Sequence, residues 1–205
     1  HPQSKRPVDA NWPDEGKSRE QALATNGNLG LLLGPKSDVM DVDLDCTEAK
    51  EMADLILPKP FAKFDRGTSD SGHYLYRATT CGPTKKFSGN GPKSTLVELR
   101  GDGSQTMIPP SIHPNGSHLR FTDINQDAPE VEYADLLKSV SFLAACSEVA
   151  QIWVSGRRHE LALSFSGLCL KQDVDPQLLV NIIQRICKIT GDPEEQGRMN
   201  CVRTS

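Results

Sequence analysis

The sequence lacks the marks of several protein classes. Its six cysteines, Cys46, Cys81, Cys146, Cys169, Cys187 and Cys201, never fall into a CxxC or CxxH pair, which removes support for a zinc site and leaves little for a disulfide framework. A reducing, cytoplasmic setting is the simpler expectation. Long apolar runs are missing too: stretches such as "LGLLLG" are far too short to cross a bilayer, and no signal-peptide pattern opens the chain. A soluble protein without a membrane partner is expected. Charge of one sign is scarce, with 23 Lys+Arg against 27 Asp+Glu and a net charge of -4, so any nucleic-acid surface must be local. No internal repeat is present. What remains is 205 residues, enough for one large domain or a domain with a small partner. The abrupt "HPQSKRP" start and "CVRTS" end fit a piece of something longer.

Residues 1–20, rich in Pro, Lys, Arg and Asp, read as an irregular lead-in. "NLGLLLG" (Asn28 to Gly34) reads as a short buried strand, and "DVMDVDLDC" (Asp38 to Cys46) as a second. In "CTEAKEMADLIL" the residues Ala49, Met52, Ala53 and Ile56 recur at helical spacing. "GHYLYRA", "STLVELR" and "QTMIPPSI" are further strands, the last two joined across "GDGS" as a hairpin-type turn. "CGPTKKFSGNGPK" reads as a loop. From Tyr133 onward every segment carries helical periodicity. The expected fold class is therefore α+β, with a mixed domain over 1–130 and a small helical domain over 131–205.

"DVMDVDLDC" carries four aspartates in nine residues. In a strand Asp41, Asp43 and Asp45 share one face, opposite Met40, Val42 and Leu44. Crowded carboxylates raise one another's pKa, or need a cation to stay ionised, which makes Asp41 and Asp43 a divalent-metal clamp suited to Mg²⁺ or Mn²⁺. Asp45, three residues before Glu48, reads instead as a helix cap with a capping-box reach. The plainer alternative is an edge strand with a solvated acidic face. "LVELR" projects Glu98 and Arg100 together, either as a surface ion pair or as a third metal carboxylate beside a phosphate fork. Lys85, Lys86 and Lys93 lie in the Gly-rich loop, and "SGRRH" sets Arg157 and Arg158 at a helix start where an anion relieves the dipole conflict. Arg198 and Arg203 extend that candidate nucleic-acid face, while Trp153 reads as a packing anchor.

Taken in order, "KRP", "NW", "NLGLLLG", "DVDLDC", "SGHYLYR", "VELRGDGSQTMIPPSIHPNG" and "GRRHELALSFSGL" resemble the bifunctional DNA primase/polymerase (prim-pol) domains of the archaeo-eukaryotic primase superfamily, found in phages, plasmids and mobile elements. The resemblance implies an RNA-recognition-motif-like sheet joined to an α/β unit, followed by a helical bundle of the kind that often precedes a helicase. It implies Asp41, Asp43 and Glu98 as ligands of two catalytic Mg²⁺ or Mn²⁺ ions. Ser71, Gly72 and His73 are implied contacts of the incoming NTP or dNTP, with Arg100, Ser111 and His113 nearby. Single-stranded DNA is the implied template and no zinc is expected. Two other readings stay open: a non-catalytic nucleic-acid-binding replication module, and a DxD metal-dependent phosphotransferase of another kind.

Overall fold

A computed structural model describes residues 7, 11, 12, 14, 16–68, 70–90 and 95–204. Most of the expected lead-in lies outside these residues, as does Lys93. The described elements are α1 (Arg19–Leu23), β1 (Leu29–Leu32), β2 (Val39–Leu44), α2 (Thr47–Ile56), β3 (Ala62–Asp65), β4 (Gly72–Thr80), β5 (Lys85–Ser88), β6 (Thr95–Arg100), β7 (Gln105–Ile108), β8 (Arg120–Ile124), β9 (Val131–Glu132), α3 (Tyr133–Gln151), α4 (Arg158–Leu170), α5 (Pro176–Thr190) and α6 (Glu195–Thr204). The fold is mixed α+β with a helical C-terminal region, as expected. Among the described residues no helix is long and apolar enough to cross a membrane.

The main sheet runs β5-β6-β2-β4-β3-β8, with β9 added in parallel against β4. Its centre is β2, antiparallel to β4 on one side and β6 on the other. The alternation of β2 dictates what each face does. Met40, Val42 and Leu44 are fully buried on one face, against Ala49, Met52 and Ala53 of α2 and Leu136, Val140 and Leu143 of α3. Each such side chain contributes about 2 kcal/mol of apolar burial. The same core continues to Leu179, Ile182, Ile183 and Ile186 of α5, so it runs without a break across residue 130. The opposite face carries the acids and is partly covered by a second sheet, β1 paired with β7. There Phe64, Leu75 and Leu119 pack with Leu31, Met107 and Ile108.

Four local expectations need correction. β6 and β7 do not form a hairpin across Gly101 to Ser104: β6 pairs with β5 and β2, and β7 pairs with β1. The "CGPTKKFSGNGPK" stretch is not all loop, because Phe87 packs against the core and pins β5 as an edge strand. β1 is half-buried rather than buried, with Gly30 exposed, because it lies in the small outer sheet. Finally, α2 begins at Thr47 with Cys46 as its N-cap and no side-chain cap bond. Asp45 stands one residue too early to cap it. Its backbone N–H bonds to Leu96 O at 3.0 Å, which prolongs the β2–β6 pairing and leaves the Asp45 carboxylate on the acid face. Glu48 accepts from Gln151 Nε2 at 3.4 Å instead of reaching back.

Candidate active site

Strand register assembles the acid face. Asp43 lies between His73 of β4 and Glu98 of β6, and Asp41 lies between Leu75 and Arg100. Carboxylate oxygens of Asp43, Asp45 and Glu98 all fall within 4.8 Å of one another. Asp41 is placed differently. It is fully buried, and His73 Nδ1 meets its two oxygens at 3.0 and 3.3 Å. A carboxylate only accepts, so Nδ1 carries the proton. The His73 ring is further fixed by stacking on Phe64, with centroids 4.5 Å apart and planes 8° from parallel. That orientation turns Nε2 toward Asp43 Oδ1, 3.6 Å away. Arg100 Nε sits 3.2 Å from Glu98 Oε2 and 3.6 Å from Asp43 Oδ2.

The electrostatics follow from burial and crowding. Burial pushes the Asp43 carboxyl up to about 6, with the Asp41 and Asp45 charges adding to the rise and His73 and Arg100 opposing it. Burial also raises Asp45, with the Glu98 charge adding to it. For His73, burial alone would lower the pKa, but Asp41 and Asp43 more than offset that and hold the ring toward its charged form. His73, Arg100 and, at Asp45, Lys86 oppose these rises without removing them. Three hard oxygen donors in reach of one point, still short of positive charge, fit a divalent ion such as Mg²⁺ or Mn²⁺.

A cleft of about 200 Å³ opens beside these acids. It is lined by Asp43, Asp45, His73 and Arg100, by Arg66 and Ser71 beside the β3–β4 pair, and by Thr106 and His113. Arg66 Nη2 donates to Ser71 Oγ at 2.7 Å, and its Nη1 lies 3.5 Å from His113 Nε2. A larger cleft of about 440 Å³ lies on the helix side of β3 and β4. Most of its charges are spent on one another: Lys50 meets Asp65 at 2.7 Å, Lys63 meets Asp54 at 2.6 Å, and Arg185 meets Glu51 at 3.3 Å. The smaller cleft, beside the three gathered carboxylates, is the candidate site.

The structure thus gathers Asp43, Glu98, Ser71, His73, Arg100 and His113, with Asp41 behind His73. It does not gather the rest. Gly72 points away from the acids, where an added Cβ would meet only Lys50 at 3.6 Å or more and Phe64 O at 3.9 Å. Ser111 is buried, its Oγ accepting from Leu29 N at 2.8 Å and donating to Leu29 O at 3.4 Å, so it ties down β1. Lys86 stands opposite Glu98 and Lys85 opposite Leu99, so the two lysines leave β5 on opposite faces. Arg158 bonds Trp153 O and pairs with Asp192, and Arg198 is buried on the same carboxylate, which makes both braces of the helical region. Arg157 remains exposed. Asp45, Arg66 and Thr106 were not foreseen; only Asp45 carried a signal, its place in the alternation.

Among known families, residues 1–134 match the N-terminal domain of the bifunctional DNA primase/polymerases, Prim-Pol. The chain belongs to the Prim-Pol family. This supports a DNA primase/polymerase role in general, with DNA and nucleotides as substrates and a dependence on divalent metal. A search of the curated proteins finds no match to the chain.

Proposed function

We propose that this Prim-Pol chain is a template-dependent nucleotidyltransferase that makes or extends primers on single-stranded DNA. The observation that carries the reading is the meeting of Asp43, Asp45 and Glu98 within 4.8 Å beside a cleft that Arg66 and Arg100 also line. In this reading those three carboxylates hold one Mg²⁺ or Mn²⁺. Asp41 would serve as a ligand of a second ion only on giving up its hydrogen bond to His73. When bound, such ions stabilise the attacking 3′-oxygen and the leaving pyrophosphate oxygen of an in-line displacement.

The chain's own groups do the rest. Asp41 and Phe64 hold the His73 ring at one angle, so that its Nε2 faces the reacting phosphates without a reorganisation cost. Arg100, paired with Glu98 and Asp43, would offer its fork to the nucleotide phosphates. Lys86 and Arg157 are the basic groups left to meet template phosphates. The helical region, sharing the core of the sheet, steadies template and initiating nucleotide.

The test is incorporation of labelled nucleotide on unprimed and primed single-stranded DNA with Mg²⁺ or Mn²⁺, beside an Asp41→Ala/Asp43→Ala variant. Products on both templates that vanish in the variant establish a primase-polymerase. Products on the primed template alone assign extension without initiation. Binding to DNA with no product on either template supports a non-catalytic replication module instead.

A further inference from the structure

The two arginines of the cleft differ in what they hold. Arg100 is committed to Glu98 and Asp43. Arg66, at the end of β3, is half-buried, hydrogen-bonds to Ser71 and His113, and meets no carboxylate among the described residues. The His113 ring is itself held at Nδ1, 2.7 Å from Asn115 Oδ1 and 3.3 Å from Asn115 N. A half-buried guanidinium with no carboxylate beside it carries an unbalanced charge. Its planar fork also matches two oxygens of a phosphate.

A second observation lies in the same cleft. The Thr106 side chain, 1% exposed, keeps its hydroxyl without a hydrogen-bond partner among the described residues, where buried hydroxyls are ordinarily satisfied. The cleft thus offers a cation without an anion and a hydroxyl without a partner. Beside the same space of about 200 Å³ stand carboxylates suited to a metal.

We propose that Arg66, bonded to Ser71 and sharing the cleft with Thr106, is the anchor for the non-reacting phosphates of the incoming nucleoside triphosphate. This rests on the nucleotidyl-transfer reading and adds to it. Arg66 would hold the polyphosphate while Arg100 remains paired with Glu98 and Asp43.

Inorganic tripolyphosphate with Mg²⁺, titrated calorimetrically into the 205-residue chain, isolates the anion site from turnover. Arg66→Ala is expected to weaken binding by about 10-fold or more, the loss of a charge-assisted pair. Arg66→Lys keeps the charge but not the fork and should give an intermediate loss, so the result does not rest on a truncated side chain. Arg100→Ala should cost less than Arg66→Ala. In steady-state incorporation Arg66→Ala should raise the KM for nucleotide by a similar factor and change kcat by about 2-fold at most. Unchanged tripolyphosphate binding in Arg66→Ala overturns the proposal. If the wild type incorporates nucleotide and Arg66→Ala leaves KM unchanged, the anchor fails alone. Arg66-dependent tripolyphosphate binding by a wild type that incorporates nothing retains the anion site and sinks the transferase reading.

Discussion

At the end of α5, Asp192 is one carboxylate among donors; on β2 and β6, Asp43, Asp45 and Glu98 are carboxylates among themselves. Asp192 accepts from Trp153 Nε1 at 3.0 Å, Arg198 Nε at 3.0 Å and Glu194 N at 3.1 Å, with Arg158 Nη1 at 3.4 Å. Despite burial, these donors hold its pKa below the usual carboxylate range. Asp43, also buried, is pushed up to about 6. The first centre is complete and ties the end of α3 to the starts of α4 and α6. The second lacks positive charge, which is what a site for an exchangeable cation requires and a structural ion pair does not tolerate.

The contrast breaks most sharply under substitution. Replacing Asp41 and Asp43 together by Ala should cut nucleotide incorporation about 10³-fold, the scale of losing a preorganised electrostatic group, while circular dichroism still reports a folded chain. Asp192→Ala should do the reverse: unfolding in denaturant shows a loss of about 3 kcal/mol, because the buried Arg198 keeps only the exposed Glu194 as a carboxylate partner, while activity per folded molecule stays near wild type.

A pH series sharpens the same comparison. Asp43 binds its proton more tightly in the fold than in the unfolded chain. Its contribution to stability is therefore full below the unfolded value near 4 and is lost as pH rises through about 6. Without divalent metal, Asp43→Asn should then be more stable than wild type by about 3 kcal/mol at pH 8, with the gain fading toward pH 4 in thermal melts. Asp192→Asn, whose parent pKa is lowered, should lose stability at pH 8 instead. The smallest effect concerns the arginine pair. Arg157→Ala should reduce the salt slope of template binding by about 1, whereas Arg158→Ala should shift the melting temperature rather than the slope.

Local patterns carried much of this architecture in the sequence. Alternation in "VMDVDL" assigned the two faces of β2 before any partner strand was known. Helix ends were legible where the chemistry is local: Asp175 caps α5 through Leu178 N at 2.7 Å, Pro176 opens it, and Gly191 closes it at φ 64. Pairing was not legible. Nothing in "GDGS" says that β6 already has β5 as a neighbour, or that β7 belongs with a strand some seventy residues earlier. The acids divided along the same line. Asp43 and Glu98 were readable from alternation and kinship; the role of Asp45 was hidden by a capping spacing that the real start of α2 does not use. Arg66 follows a strand too short to announce it, and Thr106 gains meaning only once β7 is seen to roof the cleft.

The most direct measurement is Mn²⁺ binding at pH 7.5 and pH 5 by electron paramagnetic resonance, for wild type, Asp45→Asn and Asp41→Asn. The account predicts that wild type binds Mn²⁺ at pH 7.5 and loses affinity as the pH falls through about 6, where Asp43 takes up its proton. It also predicts a loss of about 10-fold or more in Asp45→Asn and a smaller one in Asp41→Asn. Wild-type affinity in Asp45→Asn, or no binding by the wild type at either pH, would contradict it.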